Sequence, residues 1–240
     1  MRNIENTTAL ITGGTKGIGY GIAEAMLNQN MNVVITGRGQ KGVDKAVADL
    51  QKIGKGKVVG VSADVRDMNE MEKAVKTAND QFGGLDILIA NAGLGHFGSI
   101  EDLTEQQWHE TIDINLTGVF NSVKTAVSSL KRSENAYIIT IASLAGTNFF
   151  AGGAAYNASK FGLVGFTQAI MLDLRQQGIN VSTIMPGSVS TYFNDHVPSD
   201  ADAWKIQPED IGEMVVDLLK LDPRTLPSKI EVRPSRPPRK

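Results

Sequence analysis

Short runs rich in valine and isoleucine alternate with longer, helix-patterned stretches along almost the whole chain. That alternation restricts the fold more than any other feature. The β-like runs are 8–12 (TALIT), 32–36 (NVVIT), 57–63 (KVVGVSA), 85–91 (LDILIAN), 136–143 (AYIITIAS) and 180–186 (NVSTIMP). They are bounded by Gly, Asn or Asp, as strands are. Helical patterns occupy 17–29, 42–53, 68–82, 104–131 and 154–177, and a last pair follows, helix 208–220 and strand 228–233. Strands separated by helices imply βαβ units, and so an α/β fold with a seven-stranded parallel sheet covered by helices on both faces. Neither a linker nor a second core is visible. One domain over 1–240 is expected, within the ~200–250 residues such domains reach. Five of the eight prolines lie from Pro223 onward, and the last stretch, 234–240, reads as a basic, proline-rich extended tail.

Composition narrows the partners. A net charge of −2 provides no basic field, so no nucleic acid is expected. No cysteine is present, which removes disulfides and thiolate metal sites and fits a reducing compartment. The histidines, His96, His109 and His196, lack metal spacing, so no metal is expected. No apolar run approaches the ~18 residues of a membrane span, and no signal-peptide core is present. A cytoplasmic protein without a membrane partner is the expectation.

Two motifs carry chemistry. In TALITGGTKGIGYGIAEAM, glycines 13, 17 and 19 stand where the first strand hands over to the first helix. A tight turn and a bare helix N-terminus suit a dinucleotide phosphate. In AAYNASKFGLVGF, Tyr156 and Lys160 are four residues apart, so both face one side of a mostly apolar helix. A phenol has a pKa of ~10, and an ammonium ~4 Å away would lower it by about three units at an effective dielectric of ~20. Tyr156 would then be tuned toward neutrality as a general acid.

TGGTKGIG, Asn91-Ala92-Gly93, Ser143, YNASK and Pro186-Gly187 occur in that order over about residues 7 to 220. Together they resemble the short-chain dehydrogenase/reductase family, and in motifs and length its acyl-carrier-protein ketoreductase branch. The resemblance implies a Rossmann-like, doubly wound domain, a nicotinamide cofactor and carbonyl–alcohol redox chemistry on a small carbonyl substrate. It implies that Asn115, Ser143, Tyr156 and Lys160 are catalytic. Ser143 would donate to the substrate oxygen. Asn115, at a helix distortion, would hold a water linked to Lys160, and Lys160 would also bind the nicotinamide ribose. The cofactor would lie along Gly13, Thr15, Lys16, Gly17, Ile18, Gly19, Asp64, Val65, Asn91, Ala92, Gly93, Pro186, Gly187, Val189 and Thr191. The branch's usual glycine-rich ending is replaced here by PSKIEVRPSRPPRK. A homodimer or homotetramer is expected, with helices 104–131 and 154–177 pairing across a two-fold axis.

The second strand ends in Gly37 and Arg38 where NAD sites place an acid, and Lys16 lies in the glycine loop. Two cations and no carboxylate favour NADP(H). The reading is therefore an NADP(H)-dependent reductase of a ketone or aldehyde. Its rivals are an NAD-linked alcohol, steroid or sugar dehydrogenase and a catalytically silent dinucleotide sensor or scaffold. Residues 94–99, 144–155 and 188–207 are expected to build the substrate pocket. Within the last of these, 192–207 reads as a mobile lid with Trp204 on it.

Overall fold

The computed structural model describes residues 2–238. Arg239 and Lys240 of the expected tail lie outside them. Seven strands form one parallel sheet in the order β3-β2-β1-β4-β5-β6-β7. They are β1 (Thr8–Ile11), β2 (Asn32–Gly37), β3 (Val58–Ser62), β4 (Ile87–Ala90), β5 (Tyr137–Ile141), β6 (Asn180–Pro186) and β7 (Lys229–Val232). The helices are α1 (Gly17–Asn28), α2 (Gln40–Leu50), α3 (Met68–Phe82), α4 (Glu105–Ile112), α5 (Gly118–Leu130), α6 (Ala154–Leu174) and α7 (Pro208–Lys220).

The strands read as unbroken apolar runs because both faces of the sheet are covered. Side chains alternate between two cores. Ile11, Ile35, Ile89 and Ile139 point to one, with Met26 and Leu27 of α1, Leu50 of α2 and Val215 of α7. Leu10, Val34, Leu88 and Ile138 point to the other, with Met71 of α3, Val123 of α5 and Leu163 of α6. Full burial of each such side chain contributes roughly 1.5–3 kcal/mol, so a one-residue slip in any central strand would be prohibitive.

One expectation needs correction. The single helix over 104–131 is divided: α4 passes into a π-helical turn, Asp113–Thr117, before α5 begins. Apolar periodicity runs through such a turn, so the sequence pattern cannot show it. After β7, residues 233–238 form no strand, and Pro234 Cδ lies 3.3 Å from where a Cβ at Gly187 would sit.

Candidate active site

Strand order reverses between β1 and β4, and a parallel sheet binds ligands beyond the strand ends at such a point. The β1 and β4 ends are tied together there. Thr12 Oγ1 accepts from the backbone N of Asn91 (3.0 Å) and of Ala92 (3.1 Å). Asn91 Nδ2 donates to the carbonyls of Thr12 (2.9 Å) and Gly13 (3.0 Å). Thr12 had drawn no role from its sequence position; only its pairing with the Asn91 turn reveals one.

A cleft of about 860 Å³ opens above this junction. It brings together Gly13, Thr15, Lys16, Gly17, Ile18, Arg38, Asp64, Val65, Asn91, Ala92, Gly93, Ser143, Tyr156, Lys160, Pro186, Gly187, Val189 and Thr191. Two of the sequence candidates, Gly19 and Asn115, lie behind its wall. A Cβ at Gly19 would sit 2.4 Å from Gly13 O, so glycine is required for α1 to close on the loop. Gly13 has φ of 66°, a left-handed turn that aims the chain away from the cleft. Lys16, the residue capping α1, makes no side-chain bond to the first-turn N–H groups. Those donors and the bare glycine backbone suit a dinucleotide phosphate.

At the far wall of the adenosine half, Gly37 ends β2 with no room for a carboxylate. A Cβ there would lie 2.7 Å from Thr15 Cγ2. Arg38 and Lys16 are exposed at the cleft rim and join no ion pair among the described residues. Lys16 Nζ lies 5.9 Å from the centre of the Tyr192 ring. Asp64, expected to hold adenine, has both carboxylate oxygens on Arg66 (Nη2–Oδ2 2.6 Å), and that guanidinium holds it below the usual carboxylate range.

Tyr156 and Lys160 project from α6 toward the ends of β4 and β5. Lys160 is buried, and its Nζ donates to Ile141 O (3.1 Å) and lies 5.7 Å from the centre of the Tyr156 ring. Burial pulls the Lys160 pKa down to about 8. Burial also pushes the Tyr156 phenol up, with the Ser143 hydroxyl pulling partway back. In the chain alone, burial is thus the dominant influence on both groups and opposes the charged form of each. Ser143 Oγ accepts from Ala145 N (3.1 Å) and has a long contact to Pro186 O (3.5 Å), and its hydroxyl also faces the Tyr156 phenol.

Asn115 sits inside the π turn, as its expected distortion requires. Its side chain is fully engaged. Oδ1 accepts from Leu94 N (2.9 Å), and Nδ2 donates to Leu94 O (2.8 Å) and to Ser159 Oγ (3.0 Å). Asn157 goes further than its sequence position suggested. Its Nδ2 donates to Ala145 O (2.8 Å) and Asn148 O (2.9 Å), fixing the Ser143 loop to α6. Among the described residues no three histidine or carboxylate side chains gather as a metal site. Among the described residues no helix is long and apolar enough to cross a membrane.

The family model for short chain dehydrogenases matches residues 7–202. The chain belongs to that family. It is 39% identical to D-beta-hydroxybutyrate dehydrogenase of Cupriavidus necator over 78% of this chain and 72% of that one. It is 33% identical to a 3-oxoacyl-[acyl-carrier-protein] reductase of Vibrio cholerae over 79% and 76% of the two chains. An alcohol dehydrogenase of the archaeon Thermococcus sibiricus, solved with 5-hydroxy-NADP, superposes with a TM-score of 0.90 at 28% identity, covering 97% of this chain and 99% of that one. The protein is therefore an oxidoreductase of CH–OH and carbonyl groups, and its glycine-loop cleft fits a nicotinamide dinucleotide.

Proposed function

We propose that the chain is an NADP(H)-dependent reductase of a ketone or aldehyde. The observation that carries this reading is the grouping of Tyr156, Ser143 and buried Lys160 along one wall of the glycine-loop cleft, with Lys160 Nζ 5.7 Å from the centre of the Tyr156 ring. A dinucleotide held in the cleft would supply hydride to a carbonyl carbon, and Tyr156 would give its proton to the carbonyl oxygen as negative charge develops there. Ser143, whose hydroxyl faces the Tyr156 phenol, would steady that oxygen with its hydroxyl proton. Lys160, which lines the cleft, would hold the nicotinamide ribose hydroxyls. Gly93 leaves open the space between Lys160 Nζ and Asn115, which a Cβ there would enter at 3.7 Å and 3.3 Å from the two side chains. Gly13, Thr15, Gly17, Ile18, Val65, Ala92, Pro186, Gly187, Val189 and Thr191 line the remaining cofactor surface.

The preference for NADP(H) rests on Arg38 and Lys16 at a rim where Gly37 excludes an acid. A 2′-phosphate meets two free cations there, and a ribose hydroxyl meets no carboxylate. The deciding experiment measures kcat/KM with NADPH and with NADH on one carbonyl substrate. A clear excess with NADPH is expected; equal or higher values with NADH would establish the NAD-linked rival. Bound NADPH without turnover on any carbonyl would establish the silent module.

A homo-oligomer belongs to the same proposal. Phe120 of α5 and Phe161 and Leu172 of α6 are exposed on the outer surface of the molecule. Phe120 stacks edge-on to Phe166 of α6 at 6.4 Å. An apolar surface of this kind suits a second copy across a two-fold axis.

A further inference from the structure

Four aromatic rings converge at Tyr156, two of them, Tyr156 and Phe193, lining the cleft. Tyr156 is flanked by Phe97 at 5.3 Å, edge-on, and by Phe193 at 5.7 Å. Phe97 also meets Phe193 at 6.2 Å and Phe150 at 5.9 Å. The rings come from three separate segments, and the backbone fixes two of them. Gly98 N donates to Gly152 O (2.9 Å), and Gly98 bridges to Gly153, so the Phe97 and Phe150 loops are joined. Gly95 leaves the room: a Cβ there would lie 2.7 Å from Phe193 Cζ and 2.8 Å from Phe97 Cζ. Yet Phe97, Phe150 and Phe193 stay 38–47% exposed. They form a preset apolar wall beside the phenol with one side uncovered.

The charges of the cleft exclude an anionic partner for that wall. His96 Nε2 lies 3.0 Å from Glu110 Oε2. Lys205 and His196 both sit on the buried carboxylate of Asp202, at 2.5 Å each. Lys160 is committed beneath Tyr156. Arg38 follows Gly37 at the end of β2, and Lys16 Nζ sits over the Tyr192 ring, on the glycine-loop side of the cleft. The loop 144–153 carries no charged side chain, and the free charge nearest Phe193 in sequence is Asp195, an acid. A carboxylate or phosphate on the substrate would lose water against the three phenylalanines and gain no cation from their segments.

We infer, resting on the carbonyl-reductase reading, that the substrate class is an uncharged ketone or aldehyde bearing an aryl group, seated against Phe97, Phe150 and Phe193. Ring pairs of this geometry favour an aryl group over an alkyl one of similar area by about three- to tenfold per ring.

The test compares 1-phenylpropan-1-one, 3-oxo-octanoate and butan-2-one as substrates of the cofactor-loaded protein. The aryl ketone is expected to exceed the oxo acid in kcat/KM by about tenfold or more. Phe97→Ala and Phe193→Leu are each expected to lower the ratio of aryl ketone to butan-2-one by about three- to tenfold. The ratio is internal to each variant, so a loss of folded protein does not change it. An oxo acid equal to or better than the aryl ketone, or an unmoved ratio in both variants, overturns the inference. If no carbonyl is reduced, the functional reading fails instead, and calorimetric titration of the aryl ketone decides this point. Binding weakened by Phe97→Ala supports the wall; no binding overturns it.

Discussion

Tyr156 and Lys160 share one helical face, and burial governs both. The neutral phenol needs no help to donate a proton in the reductive direction. Tyr156→Phe removes that proton and should lower reductive turnover by ~10²–10⁴ while leaving NADPH affinity nearly unchanged. Stopped-flow turnover with fluorescence titration of the cofactor checks both. Lys160 sets the pH dependence. Its pKa in the free protein is lowered to about 8, so its ammonium is present below that pH and lost above it. Because kcat/KM reports the free enzyme, it should fall as pH rises through about 8, and Lys160→Arg should move that limb upward. An unmoved limb would assign it to another group. Arg38→Asp removes a phosphate partner and adds an acceptor for a ribose hydroxyl. It should shift the ratio of kcat/KM for NADPH and NADH toward NADH by at least tenfold. These residues were legible from their spacing together with the ordered motifs that carry the family resemblance, because the chemistry needs those side chains at fixed places on a helix or strand end. The direction of the Tyr156 shift was not, because desolvation depends on the neighbours packed around it.

At the scale of elements, the strands and most helices follow from apolar periodicity. The π turn within 104–131 and the loop contacts of Asn157 do not. One extra residue in a turn leaves the apolar rhythm intact, and a long-range side-chain bond leaves no local trace. The segment 192–207 was legible as a loop but not in its construction. It crosses the cleft: Thr191 borders Gly17, Tyr192 lies near Lys16, and Phe193 meets Tyr156. Asp202 staples it internally, accepting from Ser199 N (3.2 Å) and pairing with His196 and Lys205. Asn194 and Asp195 both take left-handed backbone, with φ of 55° and 58°. A stapled unit with a strained tip moves as one body rather than unravelling. In a Trp108→Phe background, saturating oxidised cofactor should shift or quench Trp204 emission and slow proteolysis between Tyr192 and Gln207. Identical emission and cleavage with and without cofactor would make the segment a static wall.

For the whole molecule, one sheet with a core on each face was readable from strand and helix order, since parallel strands buried on both sides leave few arrangements. The association state was not readable, because an exposed phenylalanine in a helix pattern looks the same whether solvent or another copy covers it. Phe120→Glu combined with Phe161→Glu should convert the assembly to monomers in light scattering, with cofactor affinity changed less than threefold. A wild-type chain already monomeric would remove the pairing surface altogether. At the other edge of the sheet, β7 covers β6, and Val232 accepts from Gly187, one of the residues lining the cleft. During synthesis, then, β6 emerges well before the strand that shields it. The nascent protein passes through an interval with an adhesive edge and an unfinished cofactor floor, and a chaperone that shields that edge would be needed only until Val232 clears the ribosome.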